Sequence, residues 1–231
     1  MNLTRRSYQK EMLDYNNIPF EDIKKNMQEL NFINKWLGGH SITLKGLQRL
    51  IQKRKTITVC EIGCGGGDNL VAIINWCNKR NIDIRCIGID IKDECIEFAK
   101  QDKFLCKYTD WICSDYKRTF FETKPDIIFS SLFCHHFSEE ELTEQIQWMK
   151  QNSAIGFFIN DLERNTIAYY SIKLLTKLFS NSYLVRNDAP LSVARGLIKK
   201  EWQKVFKIAG IKQFKIQWQW AFRYLIISSN E

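Results

Sequence analysis

The stretch Val59-Cys-Glu-Ile-Gly-Cys-Gly-Gly-Gly-Asp68 marks the point where the periodicity of the chain changes from strand to helix. Ahead of it, residues 56–62 (TITVCEI) form a short apolar, β-branched run. Behind it, residues 68–79 repeat their apolar positions at helical spacing. Glycines 63, 65 and 67 therefore occupy a strand-to-helix turn. Such a turn lets backbone approach a ligand closely, and the first N–H groups of the helix are free to face it. The spacing G-x-G-x-G differs from the G-x-G-x-x-G of nicotinamide sites. Taken alone it fits a dinucleotide site, a packing turn or a loop for another nucleoside cofactor.

Outward from this turn, strand and helix patterns alternate. Strands are predicted at 84–89 (IRCIGI), 109–113 (TDWIC), 125–132 (PDIIFSSL) and 154–159 (AIGFFI), with helices at 92–101 and from Ser138 to about 151. Ser138 and Glu141 form a capping box at the start of the last of these. The alternation implies right-handed crossovers and an α/β fold with a mostly parallel sheet. Upstream, residues 21–37 place Ile23, Met27, Leu30, Ile33, Asn34 and Leu37 on one helical face, with Pro19 ahead and Gly38-Gly39 behind. A second helix is expected over 43–52. Downstream, 166–185 reads as one inserted helix, Ser192 as the cap of another helix running to about 208, and 213–228 as two strands. The expected organisation is an N-terminal helical cap (1–55) joined to a single α/β domain (56–231) carrying a helical insertion at about 162–190.

At 231 residues and 45% hydrophobic content the chain can bury a sizeable core, which excludes a disordered tail or a small disulfide-stapled scaffold. No apolar run approaches the roughly 18–20 residues that span a bilayer. The charged N-terminal sequence has no signal-peptide core, so the eight cysteines are expected to be reduced cytoplasmic thiols. They include no C-x-x-C, and no metal site is expected. The formal charge of +8 suggests nucleic acid or a membrane surface until it is divided. Residues 1–55 carry 11 basic and 5 acidic groups, 56–160 carry 11 and 16, and 161–231 carry 12 and 5, so basic ends surround an acidic middle.

Acidic residues also recur at strand ends. Glu61 precedes the glycines, Asp90 ends the second strand where a carboxylate can accept hydrogen bonds from a ribose diol, and Asp115 follows the third. Three such groups suit a nucleoside bearing a cationic tail better than a pyrophosphate. Through EIGCGGG (61–67), GID (88–90), CSD (113–115) and PDIIFSSLFCHHF (125–137), the chain over about 56–231 resembles class I S-adenosylmethionine-dependent methyltransferases. INKWLGGH (33–40), INDLERN (159–165) and LVRNDAPLSVARG (184–196) resemble the small bacterial enzymes that methylate quinone-type or polyketide pigment precursors. The resemblance implies a Rossmann-like seven-stranded sheet with helices on both faces and its last strand antiparallel. It also implies S-adenosylmethionine as cofactor, S-adenosylhomocysteine as product, and a cofactor set of Glu61, Gly63, Cys64, Gly65, Gly67, Asp90, Ile91, Ser114, Asp115 and Ser131.

The acceptor is expected at the carboxyl ends of the strands. No (N/D)-P-P-(Y/F) motif follows the fourth strand, and Cys134 is not preceded by proline, which points away from base methylation and towards a small aromatic or lipophilic hydroxyl. A hydroxyl is attacked more easily as its anion, so His135, His136 and, from the cap, His40 are the candidate bases. Tyr169, Tyr170, Leu174, Leu178 and Phe179 are candidates for an apolar wall, and Arg186 or Arg195 for holding an acidic group. Lys173 and Lys177 beside leucines would also allow transient contact with a membrane surface. Two other functions are compatible with the same residues: an RNA methyltransferase using the basic ends, and a binding module without catalysis.

Overall fold

In a computed structural model describing residues 2–15 and 17–230, seven strands form one sheet. These are β1 (Thr56–Ile62), β2 (Asp83–Asp90), β3 (Thr109–Cys113), β4 (Ile127–Ser131), β5 (Gly156–Leu162), β6 (Lys215–Gln219) and β7 (Arg223–Ser229). Their order is β3-β2-β1-β4-β5-β7-β6, with β1 to β5 parallel and β7 antiparallel to both β5 and β6. This is the α/β fold expected from the alternation, and the Rossmann-like seven-stranded sheet that the resemblance implies. The order reverses between β1 and β4, and the glycine turn leaves β1 at that crevice, where open α/β sheets bind ligands.

Both faces of the central strands are covered, which is why they read as unbroken apolar runs. On one face Ile57, Val59, Phe129 and Phe158 pack against α2 (Gly39–Ile51) and α3 (Asp68–Asn78). On the other, Cys60, Ile62, Ile128 and Phe157 pack against α5 (Glu139–Asn152) and α8 (Lys199–Ile208). Six of the eight cysteines are buried, four of them (Cys60, Cys77, Cys86 and Cys134) among these apolar groups. The Ser138–Glu141 capping box is present, with both reciprocal hydrogen bonds. Gly46 sits where α2 crosses β5, and a Cβ there would lie 2.5 Å from the Phe158 ring. Gly46→Ala is therefore expected to destabilise the fold by roughly 1–3 kcal/mol, although alanine is the better helix former. Urea denaturation checks this, and a more stable variant would contradict the close packing.

Several boundaries differ from expectation. α1 (Phe20–Trp36) matches, but α2 begins at Gly39, not Thr43, because left-handed Gly38 turns the chain directly from one helix into the next. The inserted helix is two helices, α6 (Thr166–Phe179) and α7 (Tyr183–Arg195), broken at Ser180-Asn181-Ser182. There Ser182 caps α7, the Arg186 guanidinium donates to the Ser180 carbonyl, and Glu29 accepts from Ser180 and Asn181. Ser192 caps nothing. It lies inside α7, where its hydroxyl donates to Glu11, and α8 starts only after Gly196 has closed α7.

Residues ahead of α1 cross the insertion as a strap. Ser7 N donates to the Ala194 carbonyl, Arg6 donates to the carbonyls of Arg195 and His135, and Asp188 accepts from the amides of Met12 and Leu13. α4 (Asp93–Lys100) covers the β2–β3 end of the sheet.

Candidate active site

The glycine turn holds its shape through positive φ at Gly63, Gly65 and Gly67. Asp90 fastens it from the neighbouring strand: one carboxylate oxygen accepts from Gly65 N at 2.9 Å and the other from Lys92 N at 2.9 Å. Burial keeps the Asp90 carboxyl above its ordinary value despite these bonds. Gly65 faces open space, since a Cβ there would meet only Met27 Sδ, at 3.3 Å. Glu61 is buried below the turn. Its Oε1 accepts from Asn69 at 3.0 Å while Oε2 has no partner, and burial, aided by Asp68, pushes its carboxyl well up.

The motif 33–40 converges on the start of α3. Asn34 Nδ2 donates to Asp68 Oδ2 at 3.0 Å, and His40 Nε2 meets the same oxygen at 2.7 Å. Burial raises the Asp68 carboxyl, but the hydrogen bond and charge of His40 outweigh it and leave it below the usual value. Asn34 Oδ1 accepts from Arg223, whose buried Nε and Nη1 have no hydrogen-bond partner. Gly39 is required here, since a Cβ would fall 2.6 Å from both Arg223 Nη1 and Asn34 Oδ1.

A cavity of about 1190 Å³ runs from this turn past the end of β4 to the 3-10 turn Cys134–His136, roofed by α1, the strap and the insertion. His135 is buried, its Nδ1 2.7 Å from Asp161 Oδ1 at the end of β5 and its Nε2 3.5 Å from Glu11 Oε1. His136, 22% exposed, repeats the pattern: Nδ1 is 2.9 Å from Asp14 Oδ1 and Nε2 3.8 Å from Glu11 Oε2. Burial alone would lower the His135 imidazole, but Asp161 and Glu11 outweigh it and push it up to about 9. The same pairings hold Glu11, Asp14 and Asp161 below the usual carboxylate range, against the opposing effect of burial.

Residues 59–153 match the family model described as a methyltransferase domain. The plantazolicin methyltransferase BpumL, in complex with a monoazolic desmethylPZN analogue and SAH, shares the fold at TM-score 0.65 and 18% identity, over 92% of this chain and 89% of that one. Human N-acetylserotonin methyltransferase in complex with SAM does so at 0.64 and 15%, over 91% and 56%. The chain shares the fold of these methyltransferases. Magnesium protoporphyrin IX methyltransferase from Synechocystis PCC 6803 with bound SAH aligns at TM-score 0.52 and 14% identity, over 94% and 90%. The chain spans only 56% of the human enzyme and 59% of a Nostoc punctiforme chain of the same fold. Matches extend to 755 chains of known structure, so the architecture singles out no acceptor. No sequence among curated proteins matches the chain.

The residues around the glycine turn fit S-adenosylmethionine, the cofactor that the sequence resemblance implies. Glu61 presents an unpartnered buried oxygen at a cavity whose near end also holds Asp68 and Asp90, an arrangement suited to a cation and to hydroxyl donors. Of the expected cofactor residues, Glu61, Gly63, Cys64, Gly65, Asp90, Ile91 and Ser131 line the cavity, and Ile91 is 69% exposed. Gly67 stands behind it against Trp111. Ser114 and Asp115 do not line it, because Asp115 accepts from Lys117 N to cap a short turn and Ser114 Oγ donates to the Asp115 carbonyl.

Among the candidate bases, His135 and His136 line the cavity, whereas His40 is turned to Asp68. The acceptor wall is corrected. α6 turns Ala168, Ser171, Ile172 and Leu175 inward, while Tyr170, Leu174, Leu178 and Phe179 point to solvent and Tyr169 packs against α7. Arg186 is spent on Ser180, and Arg195 on Asp14 and the carbonyls of Gln9, His135 and His136. Glu11, Asp14 and Arg223 were not expected, and Asp161 was given no role. Asp161 stands in the singled-out segment 159–165, which was the available signal. Glu11 and Asp14 carry none, since the strap meets the histidines more than a hundred residues away in sequence.

Proposed function

We propose that the chain transfers a methyl group from S-adenosylmethionine to a hydroxyl of a small aromatic or lipophilic molecule, such as a quinol or phenolic polyketide. The observation that carries this is the continuity of one cavity, acidic and glycine-lined at one end and apolar towards Leu132, Phe133, Phe137, Ile172 and Leu175, with the two carboxylate-paired histidines at the junction. When bound, the cofactor supplies an electrophilic methyl on a sulfonium. Glu61 Oε2 would take the ammonium of its amino-acid end, Arg223 the carboxylate and Asp90 the ribose diol, with Ile91 against the base. The apolar walls exclude water and hold the acceptor in line, which is most of what methyl transfer requires. Asp161 and Asp14 orient the imidazoles, as the carboxylate does in other histidine-dependent sites. The acceptor hydroxyl loses its proton at this junction. Isothermal titration tests the reading: micromolar binding of S-adenosylmethionine is expected, and preference for a nicotinamide cofactor, or no binding, would overturn it.

Protonation of Glu61 gives a second check. Burial holds its carboxyl high, and an ammonium against Oε2 would pull it down. Cofactor binding is therefore expected to release up to one proton, and affinity to rise with pH until Glu61 ionises unaided. Calorimetry in two buffers of different ionisation enthalpy reads that proton directly. Equal heats in both buffers would count against Glu61 as the ammonium's partner.

The reading includes a cytoplasmic setting and transient contact with a membrane that carries the acceptor. No helix among the described residues is long and apolar enough to cross a membrane. The outer face of α6 instead presents exposed Leu174, Leu178 and Phe179 beside Lys173 and Lys177. Co-flotation with anionic phosphatidylglycerol vesicles is expected, with loss in Leu178→Glu. Equal flotation of that variant would contradict the contact.

A further inference from the structure

The junction of the cavity has a property that a pair of bases does not require. Both imidazoles spend Nδ1 on a carboxylate, His135 on Asp161 at 2.7 Å and His136 on Asp14 at 2.9 Å, so both turn Nε2 to the same third group, Glu11. One nitrogen or oxygen from each of Glu11, His135 and His136 lies within 4.8 Å of the others. The Nε2–carboxylate separations of 3.5 and 3.8 Å are too long for good hydrogen bonds. They are close to the distance of about 3.4 Å that separates neighbouring ligands around a tetrahedral ion with bonds of roughly 2.0–2.1 Å. From these distances we propose that Glu11, His135 and His136 bind a divalent zinc-type cation at the acceptor end of the cavity.

The surroundings are those of a metal site. Asp161 and Asp14 hold the Nδ1–H tautomers and the ring orientations, as outer-shell carboxylates do for ligating histidines. Ser192 Oγ donates to Glu11 at 2.9 Å and steadies the third ligand. Glu11, Asp14, Asp161 and Asp188 face Arg6, Arg195 and Arg223 here, four carboxylates to three guanidiniums, and that leaves the site negative when the imidazoles are neutral. Two histidines and one carboxylate leave at least one position open, and the ligands line the cavity, so that position is available to the acceptor's oxygen. The inference rests on reading this junction as the place where the acceptor loses its proton, and it deepens that reading: a bound cation, in place of a free imidazole, lowers the hydroxyl's pKa. The hydroxyl proton leaves to solvent, the oxygen forms the new bond to the methyl carbon, and the C–S bond breaks with its electron pair going to sulfur.

The test is calorimetric titration of zinc chloride into the full-length chain after chelator treatment and dialysis, with S-adenosylmethionine titrated in parallel. One equivalent of zinc is expected to bind at micromolar affinity or tighter, weakened at least 100-fold in Glu11→Gln and in His136→Ala, and about 10–100-fold in Asp161→Asn. A Cys106→Ser/Cys113→Ser variant, which removes the two exposed thiols, is expected to bind zinc normally. Cobalt substitution gives a second readout, a visible absorption band of low-symmetry Co²⁺ that His136→Ala abolishes. Unchanged S-adenosylmethionine binding in the same variants shows that they are folded. Absence of stoichiometric zinc, or zinc lost only with the two cysteines, overturns the metal site and leaves the methyltransferase reading standing if S-adenosylmethionine binds. Zinc bound without any S-adenosylmethionine binding would do the reverse.

Discussion

Asp90→Ala is expected to weaken S-adenosylmethionine binding about 100- to 20,000-fold. The carboxylate would accept two hydrogen bonds from the ribose diol, and bonds to a charged group are worth about 1.5–3 kcal/mol each, which converts to that range at 1.4 kcal/mol per tenfold. A second contribution acts through the turn, because Asp90 Oδ2 holds Gly65 N at 2.9 Å and its removal leaves that amide unpaired beside the ligand. Asp90→Asn separates the two. It keeps an acceptor for Gly65 N and loses the charge, so it should fall between wild type and alanine. Isothermal titration measures both variants. Affinity within about threefold of wild type for Asp90→Ala would remove Asp90 from the cofactor site.

Replacing His135 acts on turnover instead. His135→Gln is expected to lower kcat by about 10²–10⁴, the range that a positioned proton-transfer group contributes, while cofactor affinity stays within a few-fold. Glutamine is preferable to alanine here. His135 and Asp161 are a buried pair, and removing one partner outright leaves an uncompensated charge, with a cost of about 3–5 kcal/mol in stability. Thermal unfolding of the variant shows whether that cost was avoided. Asp161→Asn should lose activity in the same direction, because the imidazole then loses the charge that orients it. Normal turnover in both would mean that the acceptor is activated elsewhere.

What was legible in the sequence divides along a physical line. β1, buried along most of its length, and the half-exposed edge strand β3 were located to the residue and the glycine turn with them, because short apolar or β-branched runs, and turns that need positive φ, are encoded by adjacent residues. Asp90 and Glu61 were legible for the same reason, one strand end at a time. The junction was only half legible. His135 and His136 stood out, but their partners come from β5 and the strap, and pairing across the fold leaves no local pattern. α6 shows a different limit. It carries two apolar stripes, 168/172/175 and 170/174/178, and residue type alone does not say which faces the cavity. Ser182 and Ser192 are equally good caps by residue type. Ser182 caps because the chain breaks at 180–182, and Ser192 instead holds Glu11 in place.

The most direct measurement is transfer of label from S-adenosyl-[methyl-¹⁴C]methionine in the presence of either a panel of quinols and phenolic polyketides or total RNA. Label is expected in the organic extract with at least one phenolic acceptor, lost in His135→Gln and Asp90→Ala and insensitive to moderate salt. Label appearing in RNA with a steep decline in salt, or no transfer to any acceptor by a protein that binds the cofactor normally, would contradict the account.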